Sequence, residues 1–125
     1  MKITCALDFQ VFYNKVKSQT LRVKLAYKLN KLNSRLSEEA EFYRSEFYKI
    51  LTEYAQKDEN GEFIQNENGT GYLIKEGKTE ECREKIQELQ DLEIENLDIT
   101  FTLEELEHLA VTPEEISAIM NLIVD

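Results

Sequence analysis

LRVKLAYKLNKLNSRLSEEAEFYRSEFYKILTEYAQ, residues 21–56, is the stretch on which the fold turns. Leu21, Leu25, Leu29, Leu32, Leu36, Ala40, Tyr43, Phe47, Ile50 or Leu51, and Tyr54 recur in steps of three and four, so they share one face of a helix. At 1.5 Å per residue that helix is roughly 50 Å long, more than a small core covers alone. Another helix must lie against it, and part of the stripe is expected to be left for a second chain or a partner helix.

Downstream, Asp58-Glu59-Asn60-Gly61 is dense turn chemistry. Phe63-Ile64 and Tyr72-Leu73-Ile74 flank Asn66 to Gly71 in the manner of a small tip hairpin. Gly77 breaks the chain, and Thr79 is placed to cap a helix carrying Cys82, Ile86 and Leu89, short enough to pack back antiparallel along the long one. Leu92 and Ile94, then Leu97, Ile99 and Phe101, alternate in two phases that slip near Asn96, as a bulged strand would.

Upstream, Met1, Ile3, Cys5 and Leu7 alternate with Lys2, Thr4 and Ala6, the period-two pattern of a strand. Asp8 then caps a helix with apolar Phe9, Phe12, Tyr13 and Val16, ending near Lys17 to Gln19. At the far end Thr102-Leu103-Glu104-Glu105 and Thr112-Pro113-Glu114-Glu115 fit the capping box, the second with Pro at the first helical position. They open two closing helices, one with Leu103, Leu106 and Leu109, the other with Ile116, Ile119, Met120 and Ile123. The expected fold is α+β and mainly helical: one domain over residues 1–125, a long helix with an antiparallel partner helix, a tip hairpin, and a small terminal sheet joining the N-terminal strand to residues 93–101.

Length and composition agree with one globular unit. The 125 residues are 42% hydrophobic and 32% charged, too apolar for a disordered acidic tail. Apolar runs are only a few residues long and no basic start precedes a cleavable apolar segment, so a cytoplasmic protein without a membrane span is expected. Two cysteines, Cys5 and Cys82, and one histidine, His108, are too few for a zinc site within one chain; the thiols are expected to be buried and reduced.

Charge is segregated. Residues 1–36 hold eight Lys or Arg and one acid; residues 79–125 hold two and fourteen; the whole chain is −10. Lys24, Lys28, Lys31 and Arg35 stand on one face of the long helix, and Glu104, Glu105, Glu107, Glu114 and Glu115 cluster in the closing helices. Either the acidic end neutralises the basic start, or one of these sets is offered to a partner.

No catalytic set emerges. His108 has neither Ser nor Cys near it in sequence, and 25 acids make close carboxylate pairs inevitable without implying acid–base work. Gln56 to Glu67 echoes a calcium loop, with Asp58, Asn60 and Gly61 in place, yet Gln56 stands where the first acid is needed and Asn68 to Gly71 cannot start the exit helix. Phe42, Tyr43, Phe47, Tyr48 and Tyr54 suggest a stacking platform for single strands, but Glu38, Glu39, Glu41 and Glu46 would repel phosphate. Neither an enzyme, a cofactor, a metal nor direct nucleic-acid binding is expected.

The opening Met1-Lys2-Ile3, the helix from Leu29-Asn30-Lys31-Leu32 to Glu53-Tyr54-Ala55-Gln56 running into Asp58 to Gly61, and the ending Leu103 to Ile123 together resemble a family of short accessory proteins encoded by tailed bacteriophages of Gram-positive hosts. That family carries no established activity and brings no functional residues. The resemblance implies a protein made in an infected bacterium, acting in particle assembly or on a host protein. The expected function is a protein-binding accessory module, with a homo-oligomer as one way to cover the stripe. The alternative is an acidic nucleic-acid mimic that inhibits a host nuclease, polymerase or defence enzyme.

Overall fold

A computed structural model describes residues 1–95 and 98–124. The expected mainly helical α+β fold is present, and its longest element is the predicted one: α2, Val23–Tyr54, 32 residues or about 48 Å of helix. It follows α1 (Thr4–Val16) and precedes α3 (Thr79–Gln90), β1 (Phe101–Thr102), α4 (Leu103–Leu106), α5 (Pro113–Ser117), a 3₁₀ turn Met120–Leu122, and β2 (Ile123–Val124). The chain divides into two compact units, Met1–Glu41 with Glu93–Asp125, and Phe42–Leu92.

The first unit holds the main hydrophobic cluster. Phe9, Phe12 and Val16 of α1 pack with Leu25, Leu29, Leu32 and Leu36 of α2, and Phe101, Leu106, Ile119 and Leu122 close over them. Burying a side chain of this size contributes about 1.5–3 kcal/mol, which is why the leucine stripe fixes α2 in place. The stripe is covered by this chain itself: Leu29 and Leu32 have no exposed surface, and Leu51 and Tyr54 in the second unit keep only 6% and 5%. Of the rest of the stripe, Leu21, Phe47 and Ile50 are half-buried.

The N-terminal strand is corrected to helix. Ile3, Ala6, Phe9, Phe12 and Val16 are all buried, a spacing of three and four that extends the helical stripe back to residue 3. Ile3 and Leu7 fit a period of two and a period of four equally well; Ala6, assigned by alternation to the solvent face, is buried and breaks the tie. Asp8 lies inside α1 and caps nothing; the capping position is Ile3, which makes no side-chain bond.

The terminal sheet is also rearranged. The N-terminal segment meets residue 93 through one antiparallel bridge, Lys2 to Glu93, with the Ile94 N–H donating to the Met1 carbonyl at 2.8 Å and the Met1 ammonium 3.1 Å from Glu93 Oε2. The two-stranded sheet is parallel and joins β1 to β2, with Phe101 opposite Ile123. The second closing helix consequently stops at Ser117, and Ile123 lies on a strand. The slip expected around Asn96 falls outside the described residues.

Capping follows the sequence closely in one place and not in another. Thr102 and Glu105 form the full reciprocal box, and Thr112 Oγ1 accepts from the Glu115 N–H with Pro113 in the first turn. Thr79, by contrast, is the first residue of α3, and Lys78 before it makes no side-chain cap. A link with no local signature ties the turn after α1 to the segment before α5: Gln19 donates to the Ala110 carbonyl at 3.1 Å and accepts its N–H at 3.0 Å, as a backbone strand would.

In the second unit α3 runs antiparallel to the end of α2. Its first turn brings Glu81 beside Tyr54, while Glu88 and Leu89 lie beside Phe42 and Glu46. The tip forms through isolated bridges Ala55–Ile74, Lys57–Phe63 and Gln65–Tyr72. Phe63 is central to it, edge-on to Tyr48 of α2 and to Tyr72, each at 5.7 Å, with the Lys57 ammonium 5.6 Å from its ring centre.

Candidate functional site

The two charged sets flagged in the sequence meet at one point. Lys28 Nζ lies 2.8 Å from Glu105 Oε1 and donates to the Thr100 carbonyl at 3.0 Å, with the Phe101 ring centre 5.8 Å away. The same Oε1 accepts from the Thr102 N–H at 3.1 Å, so one oxygen closes both the capping box and the ion pair. The Lys28 hydrogen bond holds the Glu105 carboxyl below the usual carboxylate range despite its desolvation. Its other oxygen, Oε2, is buried without a partner.

This junction joins α2 to α4 by neutralising charge inside the unit. Lys24 shares a small recess with Arg22, Glu104 and Glu105. Lys31 Nζ is 5.8 Å from the Tyr27 ring centre, and Arg35 lines a separate recess with Glu38, Glu39 and Glu95. Glu104, Glu107 and Glu114 are exposed, Glu115 is half-buried, and exposed His108 falls in the turn after α4. So of the predicted set, Lys28 and Glu105 are brought together, Lys24 borders them, and the rest are dispersed.

The aromatic set is divided between packing and surface. Tyr43 is nearly covered and stacks with Phe47 at 6.0 Å, whereas Phe42 and Tyr48 are exposed. Cys82 is buried and Cys5 half-buried, both free; burial pushes the Cys82 thiol up, away from nucleophilic use. Asp58 Oδ1 is engaged by the N–H groups of Asn60 and Glu62, an ordinary Asx turn. Among the described residues no group of three or more His, Cys, Asp or Glu is placed to hold a metal ion, and no helix is long and apolar enough to cross a membrane.

Two shallow, mainly apolar grooves lie in the second unit, and the sequence did not single them out. One groove of about 340 Å³ is lined by Phe42, Glu46 and Ile50 of α2, by Lys85, Glu88 and Leu89 of α3, and by Leu92 just after it. Another, of about 350 Å³, is lined by Phe47, Leu51, Tyr72, Ile74, Cys82 and Ile86. Beside them Glu81, Glu84, Glu88 and Asp91 form an acidic row on α3, opening on Tyr54. Burial, then the Glu53 and Glu81 charges, raise the Tyr54 phenol. The available signal was that Phe42 and Leu92 are large apolar residues off the main stripe.

No protein-family model, no curated protein and no solved structure matches the chain.

Proposed function

We propose that this protein is a non-catalytic, protein-binding accessory module, phage-encoded and acting in particle assembly or on a host protein, with the Phe42–Leu92 unit as its binding face. The observation that carries the reading is the acid-edged groove between α2 and α3, where Phe42 and Leu92 remain 48% and 41% exposed on either side of half-buried Ile50. Exposed apolar side chains gathered beside half-buried ones, with a few charged residues among them, are the layout of a protein-binding patch. The basic and acidic sets of the other unit serve chiefly to hold it together through Lys28 and Glu105, leaving Glu104, Glu107 and Glu114 to steer encounter.

The deciding experiment is capture from a lysate of the bacterial host by three proteins: the wild type, Phe42→Ser with Leu92→Ser, and a variant with Glu104, Glu107 and Glu114 changed to Gln. The groove variant is expected to lose the partner and the Gln variant to keep it with slower association. Equal recovery by wild type and groove variant removes the groove from consideration.

The acidic row on α3 favours one second reading, a nucleic-acid mimic. Carboxylates at Glu81, Glu84, Glu88 and Asp91 recur about once per 5.4 Å helical turn, a regular anionic edge. A mimic binds its target with steep loss of affinity as salt rises, which an apolar groove does not.

A further inference from the structure

We propose that this protein associates with a second copy of itself, the exposed basic face at the start of α2 of one molecule seating in the acid-edged α2–α3 groove of another. The inference rests on the protein-binding reading of that groove and names its occupant. Both halves of the contact are present on one chain.

The inserting face consists of Val23, Tyr27 and Lys31, each one turn from the next, with Lys24 beside them. Val23 is 86% and Tyr27 65% exposed, a large apolar surface for the first turns of a helix otherwise rich in lysine. The Lys31 ammonium, 5.8 Å from the Tyr27 ring centre, carries positive charge to the edge of that apolar patch. No acid of α2 itself occupies its first turn; Glu104 and Glu105 border Lys24 there, which leaves Lys31 as the cation beside the exposed apolar patch.

The receiving groove matches in size, polarity and charge. Phe42, Ile50, Leu89 and Leu92 offer an apolar floor within about 340 Å³, room for a tyrosine side chain and its neighbours. On its α3 side the groove carries the carboxylate of Glu88, with Lys85 one turn earlier. Glu46 in the groove is already paired to Lys49 at 3.0 Å, so the complementary charge for Lys31 comes from Glu88. The net charge of −10 repels at long range. At physiological salt the Debye length is about 8 Å, so that repulsion is screened while opposite charges in contact are not. The two surfaces are different, so the contact is heterologous and either closes or extends into a chain.

Sedimentation velocity from micromolar to millimolar protein tests this. The wild type is expected to move to higher mass with concentration. Val23→Ser with Tyr27→Ser removes the inserting face, and Phe42→Ser with Leu92→Ser removes the groove; all four side chains are substantially exposed, so each variant should keep its helical circular dichroism. Each alone should stay monomeric, whereas an equimolar mixture, with one intact face and one intact groove, should form a 1:1 dimer. Should a serine variant fail to fold, Glu88→Lys leaves the apolar lining untouched and should weaken association about tenfold. A wild type that is monomeric at millimolar concentration overturns self-association, as does association that survives both double variants or a mixture that does not pair. The first of these results leaves the groove's use by another protein to the lysate capture, so the two readings fail separately.

Discussion

The two units are built from the same long helix and differ in how completely they cover it. In the first, Phe9, Phe12, Leu29, Leu32, Phe101 and Ile119 have no exposed surface. In the second, the large covered side chains Tyr43, Leu51, Tyr54 and Leu89 each keep between 5% and 9%. Two helices and a tip of isolated bridges leave apolar grooves open, whereas α1 and the closing segment fill the space around Leu29 and Leu32. Local stability follows buried apolar surface, so the better-filled unit should be the anchor and the thinner one the surface available for binding.

The comparison breaks most severely at Leu32. Leu32→Asp puts an unpaired charge in the middle of the filled unit and should cost more than about 4 kcal/mol, enough to unfold it. Loss of far-UV circular dichroism at room temperature checks this; an unchanged urea midpoint would mean that the cluster around α2 is not the main source of stability.

Alanine substitutions measure the difference directly. Leu32→Ala should cost about 3–5 kcal/mol, because close-packed neighbours cannot fill the void, and Leu89→Ala, at the edge of an open groove, about 1–2 kcal/mol. Equal costs in chemical denaturation would show the two units to be equally well packed. Amide exchange sharpens the point: α3 should exchange well before α1.

A smaller effect is expected at the ion pair. Lys28→Met removes the ammonium from Glu105, whose Oε1 keeps only its Thr102 bonds, and removes the bond to the Thr100 carbonyl, a loss of about 1–3 kcal/mol given the partial exposure of both side chains. The pH dependence has a definite sign. The Glu105 carboxyl is lowered in the folded state, so its contribution is complete above the ordinary carboxylate range and fades as pH falls through that range toward the lowered value. Glu105→Gln should flatten this part of the acid limb of the urea midpoint and leave the neutral limb nearly level with pH. An acid limb identical to wild type would remove the ion pair from the account.

The smallest change belongs to the tip. Gly61 has φ +79° with open space around it, so Gly61→Ala meets no atom but forces a left-handed backbone, costing about 1 kcal/mol. This should lower the second unit's exchange protection and spare the first.

The sequence alone determined α2, the antiparallel α3, the tip and the Thr102 box, because each is written in residues three or four apart or in turn residues that act on their own neighbours. Where two local patterns coexist, it could not choose: Ile3 and Leu7 suit strand or helix, and burial of Ala6 against the cluster decided for α1. Tertiary structure alone decided which distant groups meet. Phe101 pairs with Ile123 and not with the N-terminal segment, and of five candidate carboxylates only Glu105, 77 residues away, reaches Lys28. The groove between α2 and α3 was invisible for the same reason. Phe42 and Leu92 acquire meaning only when two helices, each satisfied by its own periodicity, lie side by side and leave the space between them unfilled.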